Sequence, residues 1–173
     1  MERTAALDDL LRWHEVYRFL TREARALDEE DYDTWFGMLA ADLHYWMPAR
    51  ETVLRHDEAP DDPRRMYFYN ETVASLRQRV ARLGTGTAWS ENPRTRYRHL
   101  VTNLEVEAGP QPDTLAVRSN VLVYRNRLSN EEYWMVAARE DLLRREEGVL
   151  RLARRKITLD QNTLLSKNLN VYL

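Results

Sequence analysis

Residues 115–137, LAVRSNVLVYRNRLSNEEYWMVA, indicate the fold of this chain more clearly than any other part of the sequence. Apolar and polar side chains alternate along it on both sides of Ser129 and Asn130, a pair of residue types that favours a turn. The apolar face consists of Leu115, Val117, Val121 and Val123 before the turn and Tyr133, Met135 and Ala137 after it. A period of two residues predicts strands, and a short connection between two strands makes the pair antiparallel.

The alternation continues outward in both directions. Leu100, Thr102, Leu104 and Val106 are spaced to share one face of an earlier strand, which the turn at residues 109–113 joins to the hairpin. A turn at Glu147 and Gly148 leads into a last strand over residues 149–159. We therefore predict an antiparallel sheet over residues 96–160, followed by a C-terminal tail over 161–173.

Residues 1–84 are predicted to be mainly helical. A first helix carries an apolar stripe of Leu7, Leu10, Leu11, His14, Tyr17, Leu20, Ala24 and Leu27. Asp31 is placed to cap a short second helix, and a third is predicted from near Asn70 to Gly84. Between them we expect a short strand near 43–47, ended by Pro48, and an exposed loop over 52–65. Helices followed by strands predict a single α+β domain over 1–173, with three N-terminal helices in the concave face of a curved, mainly antiparallel sheet.

Composition excludes several classes of protein. The 26 Lys and Arg nearly balance the 28 Asp and Glu, which argues against a dedicated nucleic-acid binder. No apolar run is long enough to span a membrane, and the start lacks a signal-peptide core, so we expect a cytoplasmic protein. The chain has no cysteine, which excludes disulfides, thiolate nucleophiles and cysteine-ligated metal clusters.

Few residues indicate that the chain itself binds a metal or catalyses a reaction. Asp42 and His44 would share one face of a strand, but a mononuclear iron site needs a second histidine, and no spacing supplies one. His14 lies in the apolar stripe of the first helix, so a hydrogen-bonded core histidine is expected there. A cavity in which Asp33, His44, Tyr45 and Tyr69 act as acids and bases on a small ring substrate is the alternative, that of a free-standing lyase or isomerase. We favour the interpretation in which these side chains are structural.

A basic row precedes the sheet. Arg94, Arg96 and Arg98 would point to one face of an extended strand and offer guanidinium groups to carboxylates of a neighbouring subunit. Trp89 would add a large apolar anchor to the same candidate subunit interface. The alternative is that Trp89 covers the domain's own core and the arginines pair within the chain, with Glu91, Glu105 or Glu107.

Three regions of the sequence resemble the small (β) subunit of aromatic-ring-hydroxylating dioxygenases of the Rieske type. The central block runs from Arg82-Leu83-Gly84 through Ala88-Trp89 and Glu91-Asn92-Pro93-Arg94-Thr95-Arg96, and Arg98-His99-Leu100 follows with Asn103. The N-terminal block consists of residues 19–28, Tyr32, Trp35, Leu39, Asp42, Tyr45, Pro48 and Arg50. The tail blocks are residues 153–157, 159–161 and Asn168-Leu169. Thr95 stands where the family commonly has serine, and residues 52–65 match no part of the pattern.

The resemblance implies the cone-shaped fold of scytalone dehydratase and ketosteroid isomerase. It also implies a non-catalytic subunit that supports a large α subunit, typically three of each in a hetero-hexamer. That partner would carry a Rieske [2Fe-2S] cluster and mononuclear Fe(II), and would dihydroxylate an aromatic ring with O2 and electrons from NAD(P)H. Because a Rieske centre needs two cysteines and this chain has none, we expect no catalytic, cofactor-binding or metal-binding residue here.

Overall fold

A computed structural model of the chain describes residues 2–49, 66–83, 94–161 and 171–173, and within them a curved sheet holds helices against its inner face. The elements in chain order are α1 Glu2–Glu29, α2 Tyr32–Gly37, β1 Leu39–Pro48, β2 Tyr67–Glu71, α3 Val73–Leu83, β3 Arg96–Ala108, β4 Thr114–Arg127, β5 Glu131–Glu146 and β6 Val149–Leu159. The predicted α+β cone fold is confirmed.

The strands lie in the order β2-β1-β6-β5-β4-β3. All neighbours are antiparallel except β1 and β6, which are parallel. The four predicted strands after residue 96 are therefore found as β3 to β6. The strand expected near 43–47 is longer than predicted, and β2 was not predicted at all. None of the helices in the described ranges is both long and apolar enough to cross a membrane.

Side-chain caps fix the starts of the short helices. Asp31 accepts a hydrogen bond from the backbone N–H of Thr34 at 3.1 Å, which confirms the predicted cap of α2. The predicted start of α3 near Asn70 is wrong, because Asn70 belongs to β2. Instead, the backbone N–H of Thr72 donates to Ser75 Oγ at 2.9 Å and the backbone N–H of Ser75 donates to Thr72 Oγ1 at 3.4 Å. Gly84 and the predicted loop over 52–65 lie outside the described residues.

A β-bulge in β3 makes the predicted single face of that strand wrong. The register with β4 shifts between Thr102 and Glu105, and Asn103 has a φ of 52°. An extra residue in one strand moves the following side chains to the opposite face. Leu100 is consequently 50% exposed, whereas Leu104 and Val106 pack against the core.

Helix α1 has two apolar faces rather than one. Val16, Leu20 and Leu27 are buried against the sheet. The leucines of the first turns and Tyr17 lie on the opposite side of the helix, which rotates by about 100° per residue. These residues are Leu7, Leu10, Leu11 and Tyr17, between 48% and 60% exposed. His14 shares their face and is exposed, so the prediction of a core histidine there is wrong.

Candidate functional site

An ion network fills the interior of the cone. Arg155 on β6 is fully buried, and its guanidinium donates to Glu23 of α1 at 2.8 and 2.9 Å. It also donates twice to Asp141 of β5, at 2.8 Å each. Arg139 Nη1 lies 3.7 Å from Glu23 Oε2, and Trp35 Nε1 donates to Glu23 Oε1 at 3.3 Å. The network thus contains two buried arginines and two buried carboxylates, so its charges balance. Its ion pairs connect α1 to the two central strands.

The network favours the charged forms of Glu23 and Arg155. Burial on its own would raise the pKa of Glu23, but the nearby charges of Arg155 and Arg139 outweigh it and lower that pKa from its ordinary value. Burial opposes the charge of Arg155, but Asp141 and Glu23 hold its pKa well above the usual value. A carboxyl group that transfers protons near neutral pH needs a raised pKa instead. Glu23 is therefore a structural ion.

Residues 171–173 lie inside the cone, at most 5% exposed. Each of their three carbonyl oxygens faces a side-chain donor. Tyr69 Oη donates to that of Val171 at 3.0 Å, and Tyr45 Oη to that of Leu173 at 2.7 Å. His99 Nε2 lies 2.8 Å from the carbonyl oxygen of Tyr172. The polar groups that line the cone thus bind the chain's own tail.

His99 joins this tail to α1. Its Nδ1 lies 2.7 Å from Asp28 Oδ1, which also accepts the backbone N–H of His99 at 3.0 Å. Arg98 Nη1 donates to the other carboxylate oxygen of Asp28 at 3.2 Å. One ring nitrogen of His99 thus faces a backbone carbonyl and the other a carboxylate. Asp28 and His99 together connect α1, β3 and the tail.

The phenol groups inside the cone are poor proton carriers. Burial raises the pKa of Tyr172 to about 12. Burial also raises the pKa of Tyr45 and that of Tyr69, the latter well above its ordinary value. Tyr45 and Tyr69 already donate their hydroxyl protons to tail carbonyls. General acid–base catalysis works best when the pKa lies near the operating pH, and these tyrosines lie far from it.

The other sequence-predicted acid–base candidates lie outside the cone. Asp33 is exposed on α2. Asp42 and His44 are both exposed on β1, on one face as predicted, but each has a local partner. Arg144 donates to both carboxylate oxygens of Asp42, at 2.6 and 3.0 Å. His44 Nε2 lies 2.9 Å from Asn70 Oδ1. Asp33, Asp42 and His44, which the lyase or isomerase alternative and the iron-site argument single out, thus lie on the surface of the described part of the chain.

The donor set does not fit the cofactors of a ring-hydroxylating oxygenase. A Rieske centre requires cysteine ligands, and the sequence contains none. Among residues 2–49, 66–83, 94–161 and 171–173, no three His, Asp or Glu side chains converge as a metal site would require.

The basic row has intrachain contacts at the end of α1. Arg94, Arg96 and Arg98 are all exposed. Arg94 Nε pairs with Glu30 Oε1 at 3.0 Å, and Arg98 pairs with Asp28. Within the described part of the chain Arg96 makes no ion pair. The intrachain alternative names Glu91, Glu105 and Glu107 as partners; Glu91 lies outside the described residues, and the acids that pair with the row are Glu30 and Asp28 instead of Glu105 and Glu107. Trp89 lies outside the described residues, and the subunit interface stays a prediction.

Sequence reasoning missed the ion network, although a signal for it was present. Arg139 and Asp141 lie between Ala137 and Leu143 in β5, at positions that a period of two turns inward. Arg155 lies between Ala153 and Ile157 in the same way. Charged residues at inward positions of two adjacent strands predict a buried ion pair. No comparable sequence pattern predicts that residues 171–173 lie inside the cone.

Comparison with known proteins identifies the family. A family model described as ring hydroxylating beta subunit matches residues 22–166. The beta subunit of biphenyl 2,3-dioxygenase from Rhodococcus jostii is 34% identical over 174 residues, covering 98% of this chain and 92% of that protein. The beta subunit of chlorobenzene dioxygenase from a Cupriavidus species is 35% identical over 164 residues, covering 92% of this chain and 87% of that protein.

Solved structures agree with this assignment. A structure of naphthalene 1,2-dioxygenase with indole bound in the active site matches with a TM-score of 0.86 at 30% identity, covering 95% of this chain and 87% of that one. A putative scytalone dehydratase from Novosphingobium aromaticivorans shares the fold alone, with a TM-score of 0.64 at 13% identity, over 88% of this chain and 86% of that one. The family match, the relatives and the shared fold lead to one conclusion: the chain belongs to the beta subunits of aromatic-ring-hydroxylating dioxygenases.

Proposed function

We propose that this chain is a non-catalytic, structural β subunit that supports the assembly of a large catalytic α subunit. The α subunit holds the Rieske cluster and the mononuclear iron, and it dihydroxylates an aromatic ring with O2 and electrons from NAD(P)H. The complex is cytoplasmic, where that reductant is available. Membership of the family supports the partnership.

The occupied cone is the observation that carries the non-catalytic role. Among the described residues, Tyr45, Tyr69 and His99 are polar side chains inside the cone that could act on a substrate, and all three face carbonyl oxygens of residues 171–173. The buried carboxylates of α1 and β5 pair with Arg155. A small-molecule site needs an open concave pocket with a few unused polar groups. The described part of this interior is occupied by the chain's own side chains and tail instead.

The outward face of α1 is the surface that we assign to the α subunit. It is apolar in its first half and continues into a groove with three exposed arginines, Arg18, Arg22 and Arg25. An exposed run of large apolar side chains on a folded domain marks an interaction site. The same groove is also lined by Glu15, Glu29 and Asp31, so it offers charges of both signs to the partner. An amphipathic segment of the α subunit that carries both acidic and basic side chains fits this face.

Three β subunits and three α subunits form the proposed assembly. Closed cyclic symmetry is the common arrangement of such complexes, and it would place the basic row of Arg94, Arg96 and Arg98 at a contact between subunits. Light scattering on the isolated chain is expected to give a trimer. A chain that stays monomeric at micromolar concentration, with or without the α subunit, would refute this stoichiometry.

Activity measurements on separated and combined subunits test the catalytic assignment. The purified chain is expected to contain no iron and to convert no aromatic substrate, even with O2 and a reductant. Adding the α subunit, with its electron-transfer proteins, is expected to give a cis-dihydrodiol. Turnover of a small ring substrate by the purified chain alone would contradict the proposal.

A further inference from the structure

The ring of Tyr172 occupies a cage of aromatic side chains inside the cone. Its centroid lies 4.8 Å from that of Trp35, 6.2 Å from that of Tyr69 and 6.3 Å from that of Tyr32. The Tyr32 ring meets it edge-on at 85°, and the other two rings are tilted against it. Aromatic pairs in such arrangements attract each other beyond the gain from buried area. The cage thus recognises a ring, and not merely apolar volume.

Two walls of the cage, Trp35 and Tyr69, are held by contacts that do not involve Tyr172. Trp35 is fully buried on α2, packs on Phe36 at 5.2 Å and donates to Glu23. Tyr69 meets the ring of Tyr45 at 5.8 Å and an angle of 87°. Because these two side chains also contact residues on the side away from Tyr172, we expect them to keep their positions when the central ring is removed.

The backbone of the tail is also held independently of that ring. The carbonyl oxygens of residues 171–173 are bound by Tyr69, His99 and Tyr45, and none of these bonds uses the Tyr172 side chain. Arg155 Nη1 adds a fourth contact, to the carbonyl oxygen of Leu173 at 3.3 Å. A chain without this ring therefore keeps its tail in the cone and an empty space of the ring's shape.

We propose that the aromatic cage is a binding site for a monocyclic phenol, and that Tyr172 is its resident occupant in the intact chain. Buried apolar spaces lined by rigid side chains stay open and accept a free ring. The charges of Arg79 and Glu71 act on the hydroxyl of Tyr172, so this end of the site suits a phenol better than a hydrocarbon. Occupation by Tyr172 and by a free phenol exclude each other.

Binding of 4-methylphenol, which reproduces the tyrosine side chain, to full-length Tyr172→Gly tests the proposal. Calorimetry is expected to show saturable binding to this variant and none to the wild-type chain. At about 100 times its Kd the phenol should raise the Tm of the variant by about 5–10 °C. The saturated analogue 4-methylcyclohexanol has a similar shape without aromatic faces, and it should bind about tenfold more weakly. Tyr67→Gly, which removes an exposed ring from β2, is the matched control and should bind neither compound.

Three results would overturn the proposal. The first is a folded Tyr172→Gly that does not bind the phenol up to its solubility limit. The second is equal binding by the variant and by the wild-type or Tyr67→Gly chain, which would indicate adsorption elsewhere. The third result applies if Tyr172→Gly does not fold on its own, in which case its circular dichroism spectrum is measured with and without the phenol. Recovery of the native spectrum in 4-methylphenol supports the site, and no recovery rejects it.

Discussion

Arg155 and Glu23 form a bidentate ion pair at 2.8 and 2.9 Å with no exposed surface on the arginine side chain. Glu23 belongs to the helix that covers the sheet, and Arg155 to a central strand. Replacing either residue by a neutral one would therefore leave the other as a buried charge without this counter-charge. Removing one member of such a pair costs far more than the intact pair contributes, because the remaining charge stays desolvated.

Glu23→Gln is expected to lower the free energy of unfolding by about 3–5 kcal/mol, because Arg155 and Arg139 lose a buried counter-charge. Glu15→Gln is the matched control. Glu15 is also a glutamate of α1 that binds an arginine of β5 twice, Arg145 at 2.7 and 2.9 Å, but the pair is partly exposed. Its loss should cost under about 1 kcal/mol. Urea denaturation measures both losses. Equal losses would show that the buried network stabilises the fold no more than the partly exposed pair does.

Stability is expected to fall as the pH is lowered below about 4.5, the ordinary pKa of glutamate. Arg155 and Arg139 lower the pKa of Glu23 in the folded chain despite its burial, so the unfolded chain takes up this proton at a higher pH. Asp42, held by hydrogen bonds from Arg144, has a lowered pKa too and adds to the effect below its ordinary value of 3.8. The stabilisation is therefore complete at neutral pH and is lost as the pH falls through the folded-state values.

Urea midpoints of the wild-type chain and Glu23→Gln between pH 7 and pH 3 measure this dependence. The difference between the two proteins should shrink as the pH falls, because the wild-type glutamate becomes neutral as well. A difference that stays constant, or a wild-type chain that gains stability in acid, would contradict the assignment.

Strand periodicity predicted β4, β5 and β6 well because buried and less buried residues alternate over most of each strand, and the one register shift between β5 and β6, at Ala153, left the extent of β6 readable. It failed for β3, where the bulge at Asn103 reverses the faces, and bulges have no reliable signal in a single sequence. It failed for β2 because that strand has only five residues, too few to show a period, and no short turn connects it to its partner β1.

Helix periodicity gave the extent of α1 but not its buried face. Leu7, Leu10 and Leu11 satisfy the spacing of an amphipathic helix, yet they lie opposite Val16 and Leu20. An apolar stripe indicates that a face is covered, and it does not say whether the sheet or another subunit covers it. The cone interior was unpredictable for a related reason. The carbonyl oxygens of residues 171–173 accept hydrogen bonds from side chains up to 128 positions away in the sequence, and only the fold brings these groups together.

Leu10→Ser is expected to leave the Tm of the isolated chain unchanged and to weaken its complex with the α subunit, because Leu10 is exposed on the outward face of α1. Leu20→Ala is the contrasting variant. Leu20 is buried on the opposite face, so its truncation should cost about 2–5 kcal/mol of folding stability. Thermal unfolding and co-purification separate the two effects. A destabilised Leu10→Ser chain with normal assembly would show that this face serves the fold.

Arg96→Ala and Arg98→Ala are expected to weaken subunit assembly before they lower the melting temperature. Arg96 makes no ion pair within the described residues, and the side chain of Arg98 is 70% exposed in its pair with Asp28, so either loss should cost the isolated fold under about 1 kcal/mol. Loss of an arginine buried against a carboxylate at a subunit contact costs about 2–5 kcal/mol. Sedimentation of the complex measures the effect, and normal assembly of both variants would assign this row to the fold.

Native mass spectrometry of the chain co-expressed with its α subunit, combined with iron analysis and product detection on the same sample, tests the proposed role of the chain. The proposed role predicts a complex of three α and three β subunits, iron in the α subunit, and dihydrodiol formation only by the complex. A β chain that remains unbound to any iron protein and converts a small ring substrate by itself would contradict it.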